Sequence, residues 1–327
     1  MQAQTLLGLP LVICRDHHGR VAALRDICPH RGMPLSFGCF DGARIECGYH
    51  GWEFNLDGRC QRIPALVDGS PGQTEKIGVQ SYACREQDGY VWVYIPEQRD
   101  AREPLPDVPR LPVLSDSYTL FHTSVKLSST LDNALLGLID PAHGPYVHQN
   151  IYWRNRHTIR EKSKVYEPLP LGFRMTSHAP SSNSRVYRLL GAGGGPVSVT
   201  IDFLLPNIRI ETIQGGRLWF LSRAMMTPIT EDECRMDFCA AWNCFRWVPF
   251  LKPIFGMIAR SFLGQDKLAM DRQSIGLRHK PPLMMLGDAD MPAQWYFKLK
   301  AAYLAARQNG GHLDHPLKEP VTLRWRT

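Results

Sequence analysis

Cys28-Pro29-His30-Arg31-Gly32 and Cys47-Gly48-Tyr49-His50-Gly51-Trp52 place one cysteine and one histidine on each of two short loops. Thiolate is a soft ligand and imidazole a borderline one, so this set can hold a metal centre. Two kinds of centre use it. A tetrahedral zinc takes all four side chains, whereas a two-iron, two-sulfide cluster gives one iron both thiolates and the other both imidazoles. The second arrangement needs each loop to supply one ligand of each kind, as these loops do. Gly32, Gly48 and Gly51 let the backbone approach and donate hydrogen bonds to sulfur, and Pro29 stiffens the first loop.

Outward from the loops, residues 11–14, 21–24 and 90–95 are β-rich runs punctuated by the turn signals His18-Gly19, Asp41-Gly42 and Asp57-Gly58. They predict a small antiparallel sheet domain. Prolines at 96, 104, 106, 109 and 112, amid many charges, mark a linker, so the chain divides into domains 1–100 and 101–327. In the second part residues 127–139 read as a helix, and residues 197–205, 208–213, 218–226 and 234–244 as strands. Residues 259–277 and 292–308 read as further helices, the last with Trp295, Leu299, Tyr303 and Leu304 on one side. Apart from the short glycine loop at 191–195 there is no low-complexity tract. The expected class is α+β, an all-β N-terminal domain followed by an antiparallel sheet flanked by helices.

The whole first string resembles the Rieske family, whose Cys-Pro-His-Arg-Gly and Cys-x-Tyr-His-Gly-Trp pattern is matched residue for residue. Leu35, Gly38, the Asp57-Gly58 turn and Ile63-Pro64 continue the likeness over most of residues 10–96. The resemblance implies a Rieske [2Fe–2S] cluster held by Cys28, His30, Cys47 and His50, and it sets zinc aside. Rieske proteins of respiratory complexes carry a second cysteine in each loop, paired as a disulfide; here those places hold Met33 and Gly48 to Gly51. The likeness is therefore to the oxygenase and ferredoxin branch, and Cys39 and Cys60 read as buried structural thiols. Family members also carry a Trp-Tyr pair ahead of the first strand, which residues 1–9 lack, as a truncated chain or a late start codon would produce.

Asp140-Pro141-Ala142-His143-Gly144-Pro145-Tyr146-Val147-His148 gathers two imidazoles and a carboxylate. Ferrous iron in oxygenases is held by two histidines and one carboxylate on one face. Residues five apart on a regular helix point about 140° from each other, so His143 and His148 need a break to converge, which Gly144-Pro145 is expected to supply. The segment resembles the iron-binding stretch of Rieske oxygenases. That resemblance implies His143 and His148 as ligands and Asp140 as the bridge to His50 or His30 of a neighbouring subunit. The family places an asparagine three residues before this aspartate, whereas Asn133 precedes Asp140 by seven, which puts a direct role for Asn133 in doubt. A third ligand is implied in Gln265-Asp266-Lys267-Leu268-Ala269-Met270-Asp271-Arg272-Gln273, with Asp266 preferred and Asp271 its rival.

Composition narrows the surroundings. A net charge of +7 spread along 327 residues favours an acidic protein partner over nucleic acid, because no basic run is interleaved with aromatics. Nine cysteines, an odd number, point to a reducing, cytoplasmic compartment. Residues 6–14 are broken by Pro10 and lack a preceding positive region, unlike a signal peptide. The apolar stretch 247–263 contains two prolines, Lys252 and Arg260, so it is too broken to span a bilayer, though an apolar stretch of this kind can rest on a membrane surface.

Taken with the resemblance, the chain is expected to be a terminal oxygenase of the helix-grip-like, homotrimeric monooxygenase and demethylase group. It would use O2 at a mononuclear Fe(II) to hydroxylate or demethylate an apolar aromatic or alicyclic small molecule. No glycine-rich nucleotide motif occurs, so NAD(P)H would act through a partner reductase, with or without a ferredoxin. The alternatives are a ring cis-dihydroxylating dioxygenase and a Rieske electron-transfer protein without oxygenase activity. Phe203, Leu205, Ile210, Trp219, Met225 and Trp242 are candidate pocket liners or plain core.

Overall fold

The computed structural model describes residues 1–67, 74–96, 105–112, 119–148, 156–180, 194–243 and 251–327. The chain divides into two compact units, Met1–Val113 and Leu114–Thr327. The boundary expected at residues 100/101 lies outside the described residues.

The first unit begins with β1 (Gln2–Leu6), β2 (Leu9–Arg15) and β3 (Val21–Arg25), which with β8 (Ser81–Tyr82) form one antiparallel sheet. β4 (Cys39–Phe40), β5 (Arg44–Glu46), β6 (Glu53–Asn55) and β7 (Cys60–Arg62) form a second, and β9 (Cys84–Gln87) pairs with β10 (Tyr90–Val93). The expected turn glycines, Gly19, Gly42 and Gly58, all have positive φ, at 84°, 93° and 85°. One apolar cluster joins the first two sheets: Val12 and Leu24 meet Leu35, Ile45 and Phe54, all fully buried. Each such side chain contributes roughly 1.5–3 kcal/mol by leaving water. Cys60 is buried as expected, but Cys39 is exposed on a two-residue strand, where alternation turns it outward.

The second unit is built on an eight-stranded antiparallel sheet, consistent with the expected α+β class. Its strands are β11 (Thr119–Leu127), β12 (Glu161–Leu169), β13 (Gly172–His178), β14 (Val197–Leu204), β15 (Ile208–Gly215), β16 (Leu218–Pro228), β17 (Cys234–Trp242) and β18 (Val321–Arg326). They lie in the order β11, β17, β16, β15, β14, β13, β12, β18. Helices α1 (Leu131–Ile139), α2 (Gly144–Val147), α3 (Leu251–Leu277) and α4 (Met291–Asn309) accompany the sheet.

The expected helix at 127–139 starts later than its apolar spacing suggested. Leu127 ends β11, and Thr130 caps α1 by accepting a hydrogen bond from the Asn133 N–H at 3.3 Å. α3 starts earlier than residue 259, because Pro253 sits in its first turn, where a missing N–H costs no bond. In α4, Trp295 and Leu299 are buried and Tyr303 packs against them, but Leu304 is half exposed and does not share their face. Asp132 Oδ1 accepts from Tyr296 OH at 2.5 Å and from Lys300 Nζ at 2.6 Å, which ties α4 to the first turn of α1. Phe203 and Leu205 belong to the core under α4, and Trp242 packs with Phe121 and Phe255 in a second cluster; Ile210 and Met225 are also buried, and Trp219 partly so. Residues 191–193, 244 and 247–250, singled out in the sequence, lie outside the described residues. No described helix is long and apolar enough to cross a membrane.

Candidate metal centres

In the first unit the two Cys/His loops are closed alike. The Gly32 N–H donates to Cys28 O at 2.9 Å and the Cys28 N–H to Met33 O at 2.8 Å; the Gly51 N–H donates to Cys47 O at 3.0 Å and the Cys47 N–H to Trp52 O at 2.8 Å. Gly32 and Gly51 hold matching places with φ of 75° and 68°, a region that other residues enter at a cost. Gly38 brings the loops together, since a Cβ there would stand 1.9 Å from Glu46 O.

Cys28 and Cys47 are both buried. Burial pushes the Cys28 thiol up to about 11, the N–H groups of His30 and Arg31 directed at its sulfur draw it back, and the adjoining Cys47 raises it again. A cationic iron offsets such a penalty by binding the thiolate. The rings of His30 and His50 meet edge to face at 4.5 Å, and His30 stacks on Trp52 at 4.6 Å and 5°. Desolvation first, then His30 and Arg31, hold His50 below the ordinary histidine range, which favours the neutral, metal-binding form. His30 Nδ1 is buried with no hydrogen-bond partner among the described residues, an expensive state that metal binding would relieve.

Thiol adjoins thiol and imidazole adjoins imidazole. Among the described residues, the one set of three or more His, Cys, Asp or Glu donor atoms lying within 4.8 Å of one another is elsewhere. A tetrahedral zinc would draw all four donors within about 4 Å, each some 2.0–2.3 Å from the ion. The loops therefore fit the two halves of a two-iron cluster better than one zinc.

In the second unit that one set is His143, His148 and Asp266. His143 precedes α2 and His148 follows it, each as a cap of a single helical turn. Gly144-Pro145 does not break a helix as expected; it starts one, with Pro145 in the first turn, where proline is tolerated. The break lies earlier, where Asp140 ends α1 in extended backbone and its Oδ1 accepts the Ala142 N–H at 2.6 Å. His148, at φ −101° and ψ 44°, leaves helical geometry, and the two rings turn toward each other with Nε2 atoms 3.3 Å apart. Asp266 Oδ1, on α3, stands 3.0 Å from His148 Nε2 and 3.9 Å from His143 Nε2. Ligand atoms each about 2.1 Å from a shared ion, at near right angles, lie about 3 Å apart; two of the three separations match this and the Asp266–His143 pair is wider, so the trio could hold a metal with that angle opened.

Burial by itself would lower the His143 imidazole; Asp140 beside it, and then Asp266, more than offset this and hold it above the ordinary histidine range. Asp140 Oδ2 is 3.5 Å from His143 Nδ1, close enough to act by charge but not aligned as a hydrogen bond. His148 is nearly inaccessible.

Asp271, the rival carboxylate, is engaged elsewhere. Its Oδ1 accepts the Ser128 N–H at 3.0 Å and its Oδ2 the Lys267 ammonium at 2.6 Å, so it pins α3 to the segment after β11. Asn133 lies in the first turn of α1. Three residues before Asp140 stands Gly137, against which Met270 packs so closely that an added Cβ would come within 2.9 Å of its methyl carbon. Sequence reasoning missed Phe262 and Gln265, both in contact with the His148 ring. The signal available was their spacing with Asp266, which places all three on one face of a helix turn.

Residues 1–83 match the Rieske [2Fe-2S] domain family. The chain is 34% identical over 274 residues to the chloroplastic chlorophyllide a oxygenase of Chlamydomonas reinhardtii, covering 80% of this chain and 39% of that one. The chain carries a Rieske domain and is similar to Rieske oxygenases over most of its length. It is also 34% identical over 143 residues to the vanillate O-demethylase oxygenase subunit of Pseudomonas sp. (strain HR199 / DSM 7063), covering 42% of this chain and 37% of that one. Its fold matches a crystal structure of dicamba monooxygenase bound to dicamba, with a TM-score of 0.71 at 21% identity, over 94% of this chain and 93% of that one. It spans about two fifths of the length of these two sequence relatives. The matched domain is of the [2Fe-2S] kind, and Rieske oxygenases as a family use such a cluster together with a mononuclear iron.

Proposed function

We propose that this protein is the terminal oxygenase of a multicomponent system that hydroxylates or oxidatively demethylates a small apolar molecule. The observation that carries the reading is the convergence of His143, His148 and Asp266 in the unit that follows the Rieske domain. An electron-transfer protein alone would have no use for such a second donor set. In this reading Cys28 and Cys47 hold one iron of the cluster, His30 and His50 the other, and His143, His148 and Asp266 hold the mononuclear iron. When bound, the cluster passes electrons singly and the mononuclear iron activates O2.

The chain's own part is to hold the ligands in place and manage charge. Asp140, beside His143, serves as the relay toward a Rieske histidine of a neighbouring subunit in a homotrimer. A reductase, with or without a ferredoxin, supplies electrons from NAD(P)H, and the setting is cytoplasmic. Likeness to a vanillate O-demethylase in sequence and to a dicamba monooxygenase in fold supports oxygenation of a small cyclic substrate, and likeness to a 3-chlorobenzoate-3,4-dioxygenase keeps ring cis-dihydroxylation as the second reading.

The test is analysis of anaerobically purified protein, with about three irons and two acid-labile sulfides per chain expected alongside visible absorption from the oxidised cluster. His143→Ala should abolish product formation and leave that absorption intact. Zinc without sulfide, or loss of the cluster spectrum in His143→Ala, would sink the assignment.

A further inference from the structure

One turn of α3 surrounds His148. The Phe262 ring stacks on the imidazole with centroids 3.6 Å apart and planes 13° from parallel. Gln265 Oε1 lies 3.0 Å from His148 Nδ1, and Asp266 Oδ1 lies 3.0 Å from Nε2. Residues 262, 265 and 266 share a helix face by their three- and four-residue spacing, so a single rigid element meets one ring from three sides. Among the described residues His143 has no equivalent partner: its buried Nδ1 makes no hydrogen bond there.

We infer that Gln265 is a positioning residue for His148: its side-chain carbonyl takes the Nδ1–H, fixes that tautomer, and leaves the Nε2 lone pair aimed toward Asp266. The inference rests on the proposed metal role of His148. A neutral imidazole carries one hydrogen, and whichever nitrogen holds it cannot bind a metal. An acceptor at Nδ1 therefore decides that Nε2 is the ligand atom and raises its basicity, while Phe262 keeps the ring from rotating. Gln265 is partly buried and donates nothing to the ion; its effect passes through His148.

The experiment uses the full chain with its cluster intact, stripped of mononuclear metal by a chelator and titrated anaerobically with ferrous iron alone. Gln265→Leu should weaken Fe(II) binding by about 10–100-fold. It should also change the electron paramagnetic resonance of the ferrous nitrosyl adduct and leave the cluster absorption unchanged. Gln265→Glu, which keeps an acceptor, should restore most of the affinity. Thermal melting of both variants reports on folding, and if Gln265→Leu does not fold, Gln265→Ala takes its place. Binding by folded Gln265→Leu or Gln265→Ala within about twofold of the unaltered chain, with the same nitrosyl spectrum, overturns the inference while the metal site stands. Failure of the unaltered chain to bind Fe(II) beyond the level of His148→Ala overturns the metal site and the inference together.

Discussion

Asp266 Oδ1 stands 3.0 Å from His148 Nε2, while Asp271, five residues on along the same helix, faces Ser128 and Lys267. The two carboxylates therefore answer differently to substitution. Asp266→Asn should remove about one iron per chain and leave the [2Fe–2S] absorption, measured by metal analysis and visible spectroscopy. Asp271→Asn should keep its iron and lose about 1–3 kcal/mol of stability in urea melts, because a charge-assisted bond to Lys267 is lost. Equal iron loss in both variants would contradict this division.

The close approach at Gly38 makes the Rieske loops sensitive to a single methyl group. A Cβ there would meet Glu46 O at 1.9 Å, so the strand before Cys47 must move. Gly38→Ala should cost about 1–3 kcal/mol and lower cluster content. Gly276→Ala, in helix α3 where the backbone is ordinary and a Cβ meets nothing within 4 Å, serves as the contrast and should retain the cluster. Melting temperature and acid-labile sulfide per chain distinguish the two.

Iron affinity should fall with pH earlier than an ordinary histidine would dictate. Protons compete with metal for His143, whose affinity for protons is raised because Asp140 and Asp266 outweigh burial. Without metal, the protonated ring contributes stability that is full below the ordinary value of 6.5 and is lost as pH rises through the raised value. Metal binding has the opposite dependence, strengthening as pH rises through that window. Asp140→Asn should move the acid limb of Fe(II) binding to lower pH. An unmoved limb would show that Asp140 does not act on His143.

Asp132 joins α1 to α4 through Tyr296 and Lys300. Burial first, and then Asp132, push the Tyr296 hydroxyl far up, so it stays a neutral donor over any working pH. Tyr296→Phe should destabilise by about 0.5–1.5 kcal/mol, and Asp132→Ala by about 1–3 kcal/mol because it leaves both donors unmet. A double-mutant cycle with Lys300→Ala measures the coupling, and a coupling near zero would remove this pair from the account.

Local patterns carried much of the fold. The strands at 197–204, 208–215, 218–228 and 234–242 and the helix at 291–309 agree closely with their apolar spacing. β1, β11, β12, β13 and β18 escaped notice because strands at or near a sheet edge mix polar or charged residues with apolar ones; β18, Val321–Arg326, alternates with arginine and, among the described residues, pairs with β12 alone.

By itself the sequence determined the candidate ligand pairs that sit within single loops, Cys28 with His30, Cys47 with His50, and His143 with His148, because a few residues of spacing limit where such side chains can reach. For the rest of the second centre the sequence offered a preference, Asp266 over Asp271, and tertiary structure brought Asp266 beside the histidines, turned Asp271 away, and alone decided the hold of Phe262 and Gln265 on His148. Gln265 comes 117 residues after His148. Over such a distance, which face of α3 turns toward α2 is set by the packing of helices on the sheet, and a rotation of about 100° per residue means that neighbouring side chains meet different surroundings.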